Sequence, residues 1–280
     1  MNSSAASLTH DAFRPQRDAG RGFRAWLAYE FKRALAPRRA GALVALALLP
    51  AAIILLLGWV ARWHGDNPAS MLSPGFYARL FDELLLRTVV FFGCAWLFIQ
   101  LVRGELTART LHYAWLVPVR RTRLGGGKFL AGMGAALLLF GGGTLLSRLA
   151  IEYMRDLPPA GAEWGTLGGY VGVAALACLG YGAVFFLLGA GVRQPLFPAL
   201  AFYGWEQINF LLPPWLQRCS IIYYLHALHP GSIPQHEWGF VPPPISYGAA
   251  IAWLLGIGAL SAWLGVRRFA RLEISYGGEE

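Results

Sequence analysis

Apolar residues in this chain come in long blocks separated by short polar interruptions. Ahead of the first block the pattern is periodic. Phe23, Trp26, Leu27, Phe31, Ala34 and Leu35 recur on one face of a helix, with Arg24, Lys32 and Arg33 off that face. This spacing predicts an amphipathic helix over 23–37, basic on one side and Trp-bearing on the other, which suits the membrane interface. Pro37-Arg38-Arg39 closes it. Six apolar blocks follow, at about 41–60, 84–102, 129–149, 167–192, 196–212 and 248–266. A helix needs roughly 20 apolar residues to cross the hydrocarbon core, so each block predicts a span, and the fifth is brief.

The interruptions carry turn signals. Asn67-Pro68 and Ser73-Pro74-Gly75 lie between the first two blocks, where Asp82 and Glu83 are expected to cap or precede the second span. Pro213-Pro214 ends the fifth block. Beyond it, Ile221 to Leu228 is apolar but too short to cross, which predicts a re-entrant or interfacial segment. The expected architecture is an all-α, polytopic integral membrane protein with one membrane domain over 38–272, flanked by cytoplasmic tails at 1–22 and 273–280.

Composition agrees. Hydrophobic residues make up 56%, charged residues 14%, and the mean hydropathy is +0.46. A soluble domain carries about a quarter charged residues. The net charge of +9 reads as topology rather than nucleic-acid binding, because Lys and Arg gather on cytoplasmic loops. With the N-terminus inside, eighteen of the 24 Lys and Arg fall on cytoplasmic segments. Both termini are therefore expected in the cytoplasm of a bacterial inner membrane or a plasma membrane. Residues 1–22 lack the apolar core of a signal peptide. Cys94, Cys178 and Cys219 are an odd, scattered set, which is no disulfide framework.

The longest polar interruption, Arg103 to Phe129, organises the rest. It predicts a cytoplasmic helix from about Glu105 to Val117, stopped by Pro118, then a basic loop with Arg120, Arg121, Arg123 and Lys128. Gly125-Gly126-Gly127-Lys128 is not a phosphate-binding loop: position 122 is Thr where Gly is required, and Phe129 stands where Ser or Thr is required. No nucleotide site is visible in the chain. Glu105, Thr110-Leu111, Pro118-Val119-Arg120-Arg121 and Gly127-Lys128, placed between the second and third spans, resemble the first intracellular loop of the ABC-2 family of exporter permeases. Arg109 stands where many members of that family have Gly. The amphipathic helix before span one and the short segments before span six fit the same resemblance. It implies a dimer, homo- or heteromeric, of permease subunits driven by a separate cytoplasmic ATPase that binds ATP and Mg. It also implies that Glu105, Arg109, Thr110, Leu111, Pro118, Arg120, Arg121 and Lys128 take up the motion of that ATPase.

Glu206 stands in the fifth block beside Gln207 and Asn209. An intramembrane carboxylate is costly and points to function, so Gln100, Glu206, Gln207 and Asn209 are candidates to border a substrate path, with Gln100 a candidate partner of Glu206. The alternative is a hydrated Glu206 near the outer interface. His226, His229 and His236, with Cys219 nearby, lack a fourth ligand at a recognised spacing, and no metal is expected. Two other functions stay open: an intramembrane enzyme, which needs paired catalytic groups at one depth, and a non-transporting scaffold.

Overall fold

The computed structural model describes residues 15–107, 120–155, 164–231 and 244–272, and every regular element among them is helical. Helix α1 is Pro15–Ala34 and α2 is Pro37–Trp63. The turn signals between the first two blocks are helix starts. Asn67 Oδ1 accepts a hydrogen bond from Ala69 N at 2.9 Å and opens α3, Pro68–Met71; Ser73 Oγ accepts from Phe76 N at 3.2 Å and opens α4. In both a Pro takes the first helical position, where its missing N–H costs nothing. Helix α4 then runs unbroken over Pro74–Thr107. Asp82 and Glu83 therefore lie inside this helix, correcting the expectation that they cap or precede it. Nothing between Pro74 and Leu84 breaks a helix.

Helix α5, Arg121–Met154, likewise starts earlier than the apolar block. The basic stretch expected as a loop forms its first turns. Gly127 is used there for close approach: a Cβ would sit 3.2 Å from both Phe23 and Trp26 of α1. So the apolar face of α1 is applied, at least in part, to the base of α5. The remaining elements are α6 (Trp164–Gly191), α7 (Leu196–Gln207), α8 (Pro214–Gln217), α9 (Ile221–Ala227) and α10 (Tyr247–Ala270).

Among the described residues, five helices are long and apolar enough to cross a membrane: Ala40–Trp63 within α2, α4, α5, α6 and α10. The fold is that of a multi-pass membrane protein. Buried aromatics, among them Phe91, Phe98, Phe140, Tyr181, Phe185 and Phe186, fill the space between α4, α5 and α6. Helices α2 and α10 are peripheral and expose Leu56, Trp59, Trp253, Leu260 and Trp263, apolar surface of the kind a bilayer covers.

Contacts fix the helix directions. Tyr77 of α4 reaches Thr144 and Ser147 of α5, while Leu101 meets Gly132, so α4 and α5 are antiparallel. Phe81 packs on Tyr170 and Phe91 on Tyr181 and Phe185, so α4 and α6 are parallel. The last two long helices break the alternation. Leu179 meets Gly258, and Phe186 and Leu187 meet Gly265, so α6 and α10 are parallel although they are consecutive. The described residues 192–231 accordingly lead back from the end of α6 toward its start. Helix α7 covers the first half of that return, ending where Glu206 meets Tyr181. Helix α9 covers the second, from Ile221 beside Gly180 toward Pro230 beside Gly169. The fifth block is thus a 12-residue helix and a 3-10 turn, Asn209–Leu211, because Pro213-Pro214 cannot continue it.

Close packing of α2 on α5 depends on Gly143, where a Cβ would lie 2.4 Å from the Ala47 carbonyl oxygen; at Gly142 nothing is within 4 Å. Gly143→Ala should lower thermal stability in detergent by about 1–3 kcal/mol, the usual range for overpacking. Gly142→Ala should melt like the parent. Equal melting of the two variants would refute the contact.

Candidate functional site

Three helices meet in a buried ionic cluster at the base of the bundle. Lys128 Nζ, fully buried on α5, donates to Glu30 Oε1 of α1 at 2.9 Å and to Glu105 Oε1 of α4 at 2.7 Å. Arg33 of α1 binds the same Glu105 oxygen and lies 3.7 Å from Glu30 Oε1. The ammonium also lies 5.3 Å from the centre of the Trp26 ring. Two carboxylates and two cations sum to zero, which is how charge is tolerated away from water. Burial by itself would lower the Arg33 guanidinium; the charge and hydrogen bond of Glu105, with Glu30 behind, outweigh burial and raise it. Glu30 Oε2 and Glu105 Oε2 are buried without a hydrogen-bond partner among the described residues.

Glu105 is two residues from the end of α4, where the chain enters 108–119, and Arg120 and Arg121 open α5 on the far side of that stretch. Arg120, Arg121 and Arg123 are exposed. Of the residues expected to meet an ATPase, Arg109, Thr110, Leu111 and Pro118 lie outside the described residues. Glu105 and Lys128 do not face outward: they face each other, because α1 lies across the groove they border.

A second polar centre joins α4 to the returning chain. Glu206, 3% exposed, is the last residue but one of α7. Its Oε2 accepts from Tyr181 Oη at 3.0 Å and from Ile222 N at 2.8 Å, and its Oε1 accepts from Ile221 N at 3.0 Å. The carboxylate thus caps the start of α9 and satisfies N–H groups that a helix leaves unpaired. Its partners are on α6 and α9, not Gln100. Gln100 is half-buried on α4, nine residues beyond Phe91, which is the α4 residue level with Tyr181, hence about 13 Å further along the helix. Asn209 is buried and donates to the Gln217 carbonyl at 3.3 Å. Gln207 Oε1 is 3.5 Å from Arg87 Nη1.

Arg87 links this cap to Asp82. Its Nη1 donates to the Glu206 carbonyl at 3.3 Å and its Nε to Asp82 Oδ2 at 3.4 Å. His226 Nε2 is 2.7 Å from Asp82 Oδ1, which assigns the ring proton to Nε2. Arg87 Nη2, 3.4 Å from that nitrogen, is then a neighbour and not a second bond, since both are donors. Asp82 and Arg87 meet because Phe81–Val90 is π-helical, and wide turns put residues five apart on one side. The sequence reading missed this pair. Its available signal was a charged residue, Arg87, bordering an apolar block; the five-residue offset is not an α-helical one.

His229 bonds Gly231 through Nδ1. No group of three or more metal-capable side chains occurs among the described residues; His236 lies outside them. The chain matches no protein-family model and no curated protein. Its function is therefore read from the fold and these two centres.

Proposed function

We propose that this chain is the membrane permease subunit of an ATP-driven transporter, an exporter in type, working as a dimer and moved by a separate ATPase that binds ATP and Mg. The observation that carries the reading is the Lys128–Glu30–Glu105–Arg33 cluster. It ties α1, the end of α4 and the base of α5 into one unit at the edge of the 108–120 segment, so force applied to that segment would move three helices together. Glu105 and Lys128 act through the cluster, while Arg109, Thr110, Leu111, Pro118, Arg120 and Arg121 remain the residues to meet the ATPase. The returning pair α7 and α9 supplies a sixth, broken crossing. The six crossings alternate, and the Lys and Arg distribution puts both termini in the cytoplasm of the cell membrane. Glu206, Gln207 and Asn209 lie at the break, beside any path between two copies, and Gln100 lies further toward the cytoplasm.

An intramembrane enzyme is the second reading, favoured by the Asp82–His226 pair. A carboxylate can orient an imidazole as a general base. The contacts of His226 described above are Asp82 and Arg87, and neither carries a hydroxyl or thiol for the imidazole to activate, which ranks this reading below transport.

The test is purification in mild detergent with identification of bound proteins and assay of ATP hydrolysis. A soluble ATPase should accompany the parent chain. Arg120→Glu with Arg123→Glu, both exposed, should release it while leaving the melting temperature unchanged. If no ATPase accompanies the parent, the permease reading fails and the Asp82–His226 pair becomes the place to look.

A further inference from the structure

The break between α7 and α9 leaves an unusual cation. Arg218 follows α8 in the turn before α9, and its side chain is exposed. The start of α9 packs on Gly180, level with the contact of Gly258 and Leu179. Gly258 is eleven residues from Tyr247 and nine from Arg267, so that level lies about 16 Å from one end of α10 and about 14 Å from its basic end. Arg218 comes three residues before Ile221 and lies between that level and the start of α10, within the apolar layer. Arg87 and Arg148 hold Asp82 and Glu152; Arg218 forms no ion pair among the described residues. The nearby Glu206 is committed to capping α9. A charge at such a depth requires a counter-ion or water.

Beside Arg218 is a crevice of about 600 Å³, lined by Cys219, Tyr223, Tyr224, Trp253 and Ile257 and reaching Pro244 and Ile245 just ahead of α10. Its size is within the roughly 300–1,000 Å³ typical of ligand sites. The walls are held in place: Tyr224 Oη donates to the Arg218 carbonyl at 2.8 Å, and the Tyr224 ring stacks on Trp253, 6.2 Å between centres. One wall, α10, is the peripheral helix, whose exposed Trp253, Leu260 and Trp263 continue the apolar lining out to the bilayer face. An occupant reaching the crevice from the bilayer would have an apolar body and an anionic head.

We propose that this crevice binds an anionic phospholipid, its phosphate on the Arg218 guanidinium and an acyl chain along Tyr223, Tyr224, Trp253 and Ile257. A guanidinium suits phosphate, presenting paired donors to two oxygens. Binding does not require the permease reading. If that reading holds, the site is also a station for a lipid drawn below its own leaflet.

Cys219 makes the site testable, since it is exposed in the crevice while Cys94 and Cys178 are buried. The full chain, with whatever co-purifies, is placed in phosphatidylcholine nanodiscs with or without phosphatidylglycerol and labelled with a membrane-permeant maleimide. Phosphatidylglycerol should slow Cys219 labelling several-fold. Arg218→Gln should abolish the protection and Arg218→Lys should keep most of it, both without change in melting temperature. Chain-brominated phosphatidylglycerol should quench fluorescence more than brominated phosphatidylcholine, and Trp253→Phe should remove the difference. Protection that persists in Arg218→Gln, equal quenching by the two lipids, or a Cys219 already inert in phosphatidylcholine would each overturn the proposal. So would protection that follows protein concentration instead of lipid, the sign of a second copy over the crevice. None of these outcomes bears on whether an ATPase co-purifies.

Discussion

Lys128→Met should be the most damaging single substitution in the base of the bundle. It leaves Glu30 and Glu105, both buried, with Arg33 as their only cation in the cluster. Breaking one member out of a buried ionic group costs about 3–5 kcal/mol, because the remaining charge has neither water nor partner. The expected result is a large fall in melting temperature in detergent and loss of protection of α1 in hydrogen exchange. The diagnostic variant is the double substitution Lys128→Met with Glu30→Gln. It restores neutrality by leaving Glu105 with Arg33, so it should recover a good part of the lost stability. An additive double variant would show that Lys128 matters by its packing against Trp26 and not by charge. On the permease reading the same pair should lose and partly regain ATP-driven transport, because the cluster is what joins the three helices.

Glu206→Leu should be the second large effect. The carboxylate accepts three hydrogen bonds, from Ile221 N, Ile222 N and Tyr181 Oη. An apolar residue leaves all three donors buried and unpaired, at about 1–3 kcal/mol each. Helix α9 has only seven residues, too few to hold together without its cap and its neighbours. The expected result is a marked fall in thermal stability with early hydrogen exchange at Ile221 and Ile222. Glu206→Gln should be milder but still destabilising: its oxygen can replace one acceptor, while its NH₂ group meets donors. A carboxylate that merely lined a wet passage would tolerate Gln, so an unchanged melting curve for Glu206→Gln would refute the capping role.

Much of the architecture was legible along the chain. Hydropathy is a sum over consecutive residues, and it located the segments that became α2, α4, α5, α6 and α10 because a bilayer selects for length and apolarity alone. Breakers were legible too: Pro213-Pro214 stops the fifth block for a local covalent reason. Local signals failed where a helix could continue through polar residues. Asp82, Glu83 and the stretch Arg121 to Lys128 looked like boundaries, yet each is helical, since polarity does not end a helix unless the backbone or a cap does.

The sites themselves were partly legible as residues and hardly at all as arrangements. Glu206, Glu105 and Lys128 stood out as charges in or beside apolar blocks, but their partners did not. Lys128 meets Glu30 across 98 positions and His226 meets Asp82 across 144, distances over which no periodicity speaks. By itself the sequence determined an all-helical chain with helices able to cross a membrane, and where each apolar block begins to fail. Only the tertiary structure decided that α6 and α10 run parallel, that the chain between them returns in two half-helices, and that Glu206 caps the second of them. The physical reason is that burial and charge neutralisation are properties of a neighbourhood in space, and no local window of the chain contains that neighbourhood.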